Sequence, residues 1–119
     1  MRILFVEDEA DTRLLVGQGL RIHGFSVRFA EDGVAAMRAL QEEQYDAVVT
    51  DVSMPNGVSG IEVAQEVLRL DPVAPVLIVS GNARSQLPSL PEGTRYLAKP
   101  YRFAELVLVL REMISGRIS

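Results

Sequence analysis

The segment Ala47-Val48-Val49-Thr50-Asp51 decides the fold, because it is a short apolar, β-branched run that ends on an acid. A run of this kind, without polar alternation, is typical of a central strand in a parallel sheet, where both faces are buried. Four further short runs lie on either side of it along the chain: Ile3–Val6, Ser26–Ala30, Val76–Val79 and Tyr96–Ala98. The second and the fifth run in chain order are shorter or contain polar residues, which favours edge positions in the same sheet.

Helical patterns separate these runs. Apolar residues recur at helical spacing in four segments: Asp11–His23, Asp32–Leu40, Ser59–Leu70 and Arg102–Ile114. The third of these segments opens with Ser59-Gly60-Ile61-Glu62, which fits the S-x-x-E capping box and predicts a helix start. Strands that alternate with helices predict one α/β domain over residues 1–119, a doubly wound (βα)5 unit with helices on both faces of a five-stranded parallel sheet.

Two segments leave the regular pattern. Residues 81–95 contain Pro88 and Pro91, so we expect the fourth helix of the series to be short or irregular. The last helix carries, beside its core stripe, a second apolar stripe: Leu106, Val109 and Met113. This stripe is either a broad core contact or an exposed patch for a partner, and the weak fourth helix favours the patch.

Composition excludes several functions. The 119 residues carry 16 acidic and 12 basic side chains, a net charge of −4 that argues against direct binding of nucleic acid or a membrane surface. Cysteine is absent and His23 is the only histidine, which excludes disulfides, thiolate chemistry and multi-histidine metal sites. No stretch approaches the length of a membrane span, and we expect a cytoplasmic protein.

Chemically useful side chains follow the predicted strands. Ligands of open α/β sheets bind beyond the carboxyl ends of the central strands. The residues at those ends are Glu7-Asp8-Glu9, Asp51, Ser80-Gly81 and Lys99-Pro100. We therefore expect carboxylates, a hydroxyl and one lysine to converge at one edge of the sheet.

Such an edge predicts a divalent cation and phosphate chemistry. Carboxylates packed together repel one another, and an all-oxygen ligand set suits Mg²⁺. Lys99 adds a compact positive charge for phosphate oxygens. Asp51 is then both a metal neighbour and a candidate nucleophile, since carboxylates form aspartyl-phosphates.

Taken in order, Glu7-Asp8, Thr50-Asp51-Val52-Ser53-Met54-Pro55, Ser80-Gly81 and Lys99-Pro100 resemble the receiver domains of two-component response regulators. The resemblance covers nearly the whole chain and implies the flavodoxin-like strand order 2-1-3-4-5. It implies a phosphoacceptor in a phosphorelay: Asp51 takes a phosphoryl group from a phosphohistidine, and the domain itself catalyses this transfer and a slow hydrolysis of the product. It is then a switch and not a metabolic enzyme.

The resemblance also implies residue roles. Asp8, Asp51 and the main-chain carbonyl of Ser53 would bind Mg²⁺, with Glu7 acting largely through water. Lys99 would pair with the phosphoryl oxygens, and its bond to Pro100 would be cis. Two further residues would form the switch: Ser80, which moves to the phosphoryl group, and Tyr96, whose side chain changes rotamer.

The implied partner is a sensor histidine kinase or a histidine phosphotransfer protein. A homodimer or a partner contact through the last helix is a further expectation. Four residues separate Pro55 from Gly60, one more than is usual in the family, and this longer loop resembles receivers of hybrid sensor kinases.

Three alternatives use the same fold. A Mg²⁺-dependent phosphohydrolase with Asp51 as nucleophile typically needs a second Asp two residues on, where Ser53 stands. A flavin carrier would need hydroxyls and glycines where Glu7-Asp8-Glu9 would repel the flavin phosphate. A binding module that never uses phosphate is opposed only by the presence of all the chemical residues.

Overall fold

A five-stranded parallel sheet forms the centre of the computed structural model, which describes residues 1–118. The strands are β1 (Arg2–Val6), β2 (Ser26–Ala30), β3 (Ala47–Asp51), β4 (Val76–Ser80) and β5 (Arg95–Ala98). Their spatial order is β2-β1-β3-β4-β5, which confirms the expected doubly wound arrangement. The central strands β3 and β4 are almost wholly buried, whereas β2 and β5 are partly exposed edges, as their sequences predicted.

Four α-helices cover the two faces of the sheet: α1 (Ala10–Ile22), α2 (Gly33–Glu42), α3 (Gly60–Leu70) and α4 (Phe103–Ile118). Alternate residues of each strand point to opposite faces, so the sheet has two separate cores. Leu4, Val48 and Ile78 pack with α2 and α3 on one face. Phe5 and Leu77 pack with α1 and α4 on the other. None of the helices in residues 1–118 is long and apolar enough to cross a membrane.

The connection between β4 and β5 confirms the expectation of a short or irregular fourth helix. Its only helical part within the described chain is a three-residue 3₁₀ turn, Arg84–Gln86. Pro88 and Pro91 follow that turn, and each lacks the backbone donor that a continuing helix requires. The face of the sheet beside this connection is covered by a loop, through Leu87 and Leu90.

The expectation of an exposed stripe on the last helix is wrong. Leu106 is completely buried, and Val109 and Met113 are partly buried against the same core. Helix α4 contacts both α1 and the sheet, so its apolar face must be wider than a single stripe. Leu108 of α4, in contrast, is 59% accessible. The second stripe is therefore core, which was the alternative interpretation of the pattern.

Candidate functional site

Acidic side chains and one lysine meet at the carboxyl edge of the sheet, as the strand ends predicted. Carboxylate oxygens of Glu7, Asp8 and Asp51 all lie within 4.8 Å of one another. The Lys99 Nζ atom lies 2.5 Å from Asp51 Oδ2 and 3.5 Å from Glu7 Oε1. Glu7 and Asp8 follow β1, Asp51 ends the neighbouring strand β3, and Lys99 follows β5. Parallel strands bring these residues together because all their carboxyl ends lie at one edge.

Adjacent residues of the cluster have different environments. The Glu7 side chain is 3% accessible, whereas Asp8 is exposed and Asp51 is partly buried. Burial raises the pKa of Glu7 to about 7; Lys99 opposes this rise, and Asp51 adds to it. Glu7 Oε2 is buried without a hydrogen-bond partner among the described residues. The site therefore holds a carboxylate that is costly to ionise unless a cation joins it.

Lys99 is held as a charged partner of these acids. Burial lowers its pKa, but the hydrogen bond and charge of Asp51, together with Glu7, outweigh this and raise the pKa above its ordinary value. Tyr101 lies close enough to feel the same charges, and its burial raises the pKa of its hydroxyl. Lys99 is thus an ammonium throughout the neutral range, able to pair with a phosphoryl group that arrives beside Asp51.

The donor set fits a hard divalent cation. It consists only of carboxylate oxygens, from Glu7, Asp8 and Asp51, and one of these oxygens is buried and unpaired. Oxygen ligands with one or two carboxylates and several waters are the coordination that Mg²⁺ prefers. The exposed side of the cluster, at Asp8, leaves a path for water and for phosphate oxygens.

The main chain around Asp51 is tightly enclosed. The Thr50 hydroxyl donates to the Asp51 carbonyl at 3.0 Å, and the Val52 amide donates to the Val79 carbonyl at 3.3 Å. Helix α3 begins at Gly60 directly against this carbonyl: a Cβ atom at Gly60 would lie 1.7 Å from the Asp51 oxygen. Only glycine can occupy that position, and the start of α3 therefore fixes the backbone that presents the Asp51 side chain.

Ser80 and Tyr96 are linked to each other through the loop residue Asn82, and the Tyr96 hydroxyl also lies 3.5 Å from the Ser80 carbonyl oxygen. Ser80 ends β4 and is buried, and its Oγ accepts a hydrogen bond of 3.0 Å from the Asn82 amide. The Tyr96 hydroxyl donates to the Asn82 carbonyl. Among the described contacts neither side chain bonds to Asp51 or Lys99. The Lys99 amide donates to the Ser80 carbonyl at 2.8 Å, which ties the two strand ends together.

Ser53, the remaining sequence-predicted metal ligand, lies two residues beyond Asp51 in the loop that leads to α3. Its side chain is exposed, so a role for this residue would fall to its main-chain carbonyl. The peptide bond between Lys99 and Pro100 is cis, as the resemblance implied.

Sequence reasoning missed two contacts that shape the site. Arg13 of α1 donates from Nη1 to the Glu7 carbonyl at 2.8 Å and so supports the turn that carries Glu7 and Asp8. Asp32 Oδ2 accepts a hydrogen bond of 2.5 Å from the side-chain Nδ2 of Asn56, which lies 24 positions further along the sequence. The signal for Arg13 was its place one turn into the helix that follows the acids. Nothing in the sequence paired Asp32 with Asn56.

Comparison with known proteins identifies the family of this chain. A family model described as the response regulator receiver domain matches residues 3–111. The transcriptional regulatory protein PrrA of Mycobacterium tuberculosis is 35% identical over 98% of this chain, which spans only 51% of PrrA. The chain thus spans about half the length of PrrA. The receiver protein CpdR of Brucella abortus is 31% identical, over 95% of this chain and 96% of CpdR.

A solved structure of a response regulator is also similar to this chain. The response regulator TrrA of Thermotoga maritima, crystallised in complex with Mg²⁺-BeF, is 32% identical with a TM-score of 0.83. The match covers 94% of this chain and 97% of TrrA. TrrA has also been crystallised in complex with the histidine kinase ThkA, and that TrrA chain matches with 29% identity and the same TM-score of 0.83.

Proposed function

Because the chain belongs to the response regulator receiver family of two-component systems, we propose that it is a Mg²⁺-dependent phosphoacceptor whose acceptor is Asp51. In the proposed step an Asp51 carboxylate oxygen attacks the phosphorus of a phosphohistidine. The P–N bond breaks, and the imidazole nitrogen of the donor keeps its electron pair. The observation that carries this proposal is the 2.5 Å contact of Lys99 Nζ with Asp51 inside a three-carboxylate cluster.

The chain's own residues supply positioning and charge for this step. Asp51 stands at the end of a buried strand, and Gly60 and Thr50 enclose its main chain, so the backbone that carries the carboxylate is held in place. Lys99 already pairs with that oxygen and is placed to follow negative charge onto the phosphoryl group as the bond forms. The same geometry supports a slow hydrolysis of the product by water from the exposed side of the site.

The metal set of the proposal is Glu7, Asp8 and Asp51, with the main-chain carbonyl of Ser53. Bound Mg²⁺ would neutralise the carboxylates and the incoming phosphoryl oxygens. Glu7 is buried, so it would not meet the phosphodonor directly. In this proposal it contacts the metal largely through water. The TrrA structure with Mg²⁺-BeF supports this part of the proposal for a relative of the same fold.

The proposed switch consists of Ser80 and Tyr96. Both side chains bond to Asn82, Ser80 through the Asn82 amide and Tyr96 through the Asn82 carbonyl. If Ser80 turns its hydroxyl to a phosphoryl group on Asp51, it releases Asn82, and Tyr96 loses the position of its acceptor. The loop 81–94 contains only one short 3₁₀ turn, so the response is a change in loop population and not the displacement of a helix.

The proposed partner is a sensor histidine kinase or a histidine phosphotransfer protein in the cytoplasm. The TrrA–ThkA complex supports this partner class, because it shows a receiver relative bound to a histidine kinase. Phosphorylation would then change the binding of a downstream protein, and direct binding of nucleic acid is not part of this domain's role. With the Leu106 stripe buried, a contact through α4 would have to use its exposed side, around Leu108.

Intact-mass spectrometry after incubation with acetyl phosphate tests the proposal. The wild-type chain should gain one phosphoryl group (~80 Da) with Mg²⁺ and none with EDTA. Asp51→Asn should abolish the gain. Asp11→Asn removes an exposed acid from the first turn of α1 and should label as the wild type does. Labelling of Asp51→Asn at the wild-type rate would refute the acceptor assignment, and no Mg²⁺-dependent labelling of the wild type would favour a binding module that never uses phosphate.

A further inference from the structure

The loop that carries the proposed metal ligand Ser53 has few attachments. At its start the Val52 backbone bonds to Val79 and to Gly60, and at its end the Ser59 hydroxyl accepts from the Glu62 amide. In residues 1–118 no hydrogen bond reaches the intervening residues 53–55. The next attachment along the chain is the Asn56 side chain, which donates to Asp32 at 2.5 Å. Met54 also packs against the core beside α2 and α3, so the position of the Ser53 carbonyl depends on that packing together with what holds Asn56.

Asp32 holds the Asn56 side chain through one of its two carboxylate oxygens. Its side chain is buried at the N-terminus of α2, where Oδ1 accepts from the Ala35 amide at 2.8 Å as the helix cap. Its second oxygen, Oδ2, accepts from Asn56. These two hydrogen bonds lower the pKa of the Asp32 carboxyl, so it is ionised at neutral pH. One carboxylate therefore caps a helix and binds a loop at the same time.

The loop approaches α2 closely at a second point. A Cβ atom at Gly33 would lie 2.5 Å from the Val58 carbonyl oxygen, so glycine is needed where Val58 packs. Asn56 has φ 71° and Gly57 has φ 81°, a left-handed pair that turns the loop toward Asp32. Asparagine and glycine are the residues that adopt this region most readily. The N-terminus of α2 is thus a packing surface for the loop between β3 and α3.

We propose that Asp32 and Asn56 are positioning residues of the phosphoacceptor site: their hydrogen bond seats the 53–55 segment on α2 and so holds the Ser53 carbonyl where it completes the Mg²⁺ site. This inference rests on the proposed function, in which the Ser53 carbonyl is a metal ligand. It concerns residues outside the acidic cluster, and neither side chain belongs to the proposed metal set.

Exchanging donor and acceptor tests the contact. Asn56→Asp places two carboxylates face to face and keeps a residue type that tolerates the left-handed backbone. The double variant Asp32→Asn/Asn56→Asp restores one hydrogen bond with donor and acceptor exchanged, retains a good helix cap, and has the wild-type net charge. Asn56→Gly removes the amide without changing charge and serves if Asn56→Asp does not fold. Ala39→Gly, within α2 but outside the contact, controls for loss of helix stability.

The readouts are the Mg²⁺ dissociation constant by calorimetry and the melting temperature. An extra carboxylate near the site would by itself tighten cation binding, so weaker binding by Asn56→Asp reports geometry. We expect Asn56→Asp and Asn56→Gly to weaken Mg²⁺ binding by about three- to tenfold, and the double variant to recover it to within about twofold. Ala39→Gly should lower the melting temperature and leave Mg²⁺ affinity unchanged.

Wild-type affinity in Asn56→Asp or Asn56→Gly, or a loss that the exchange does not recover, would overturn the inference. Failure of the wild-type chain to bind Mg²⁺ or to label with acetyl phosphate would instead overturn the proposed function, so the two failures are separable.

Discussion

Replacing Glu7 by glutamine should stabilise the metal-free domain at neutral and alkaline pH. Glu7 is 2% accessible, and burial raises its pKa from 4.5 to about 7. A carboxyl with a raised pKa binds its proton more tightly in the folded state than in the unfolded state. The contribution of Glu7 to folding stability is therefore most favourable below pH 4.5, becomes less favourable as the pH rises from 4.5 to about 7, and stays unfavourable above that range.

The magnitude follows from the two pKa values. At 1.36 kcal/mol for each pH unit, a change from 4.5 to about 7 corresponds to about 3 kcal/mol of lost stability at pH 8. Glutamine has nearly the same shape but no charge, so Glu7→Gln removes this penalty, which already includes the opposing attraction of Lys99. We expect the variant to be about 2–3 kcal/mol more stable than the wild type at pH 8 and equal to it near pH 4.5.

Urea unfolding followed by circular dichroism, at pH values from 4.5 to 8 in EDTA, measures this difference. Glu9→Gln is the matched control, because Glu9 is exposed and its removal should change stability by less than about 0.5 kcal/mol. Saturating Mg²⁺ should stabilise the wild type more than Glu7→Gln, since the variant lacks one of the three carboxylates of the cluster. Equal free energies of unfolding for Glu7→Gln and wild type at every pH would show that ionising the buried Glu7 carboxyl does not destabilise the fold.

Three further predictions test the cluster and the core. Lys99 is the only lysine of the chain, and Lys99→Met should slow acetyl phosphate labelling by at least about tenfold while Lys99→Arg retains part of it, as a mass time course would show; an unchanged rate in Lys99→Met would remove Lys99 from the mechanism. Asp8→Ala should weaken Mg²⁺ binding by about 10-fold or more, whereas Glu9→Ala should stay within about twofold by calorimetry; equal losses would contradict the cluster geometry. Leu106→Ala should lower the free energy of unfolding in urea by about 2–5 kcal/mol, whereas Leu108→Ala, at an exposed position, should lower it by less than about 0.5 kcal/mol. A larger loss for Leu108→Ala than for Leu106→Ala would contradict the burial of the second stripe.

Much of the secondary structure was predictable because it depends on patterns of neighbouring residues. The unbroken apolar runs at Ala47–Thr50 and Val76–Val79 indicated central strands, and both lie buried in the middle of the sheet. The Ser59 cap was predictable from four consecutive residues, and its hydroxyl does accept from the Glu62 amide. The convergence of Glu7, Asp51 and Lys99 followed from topology alone, since parallel strands end at one edge.

Patterns of the same kind misplaced the stripe at Leu106. Helical periodicity shows which residues share a face but does not show how many neighbours that face meets. Helix α4 lies against α1 as well as the sheet, and two neighbours bury a wider arc than one. The width of a buried face is therefore a property of the packing and not of the helix.

What the sequence determined by itself was the set of elements, their alternation and the acids that meet at the strand ends, because each depends on neighbours within a few positions or on the rule that parallel strands share an edge. Only the tertiary structure decided that Glu7 is buried while the adjacent Asp8 is exposed, and that Asp32 holds Asn56. These features depend on how α2 and the loop after β3 pack over the sheet. Contacts between residues 24 positions apart form only when that packing brings them together, and no local pattern encodes the distance between them.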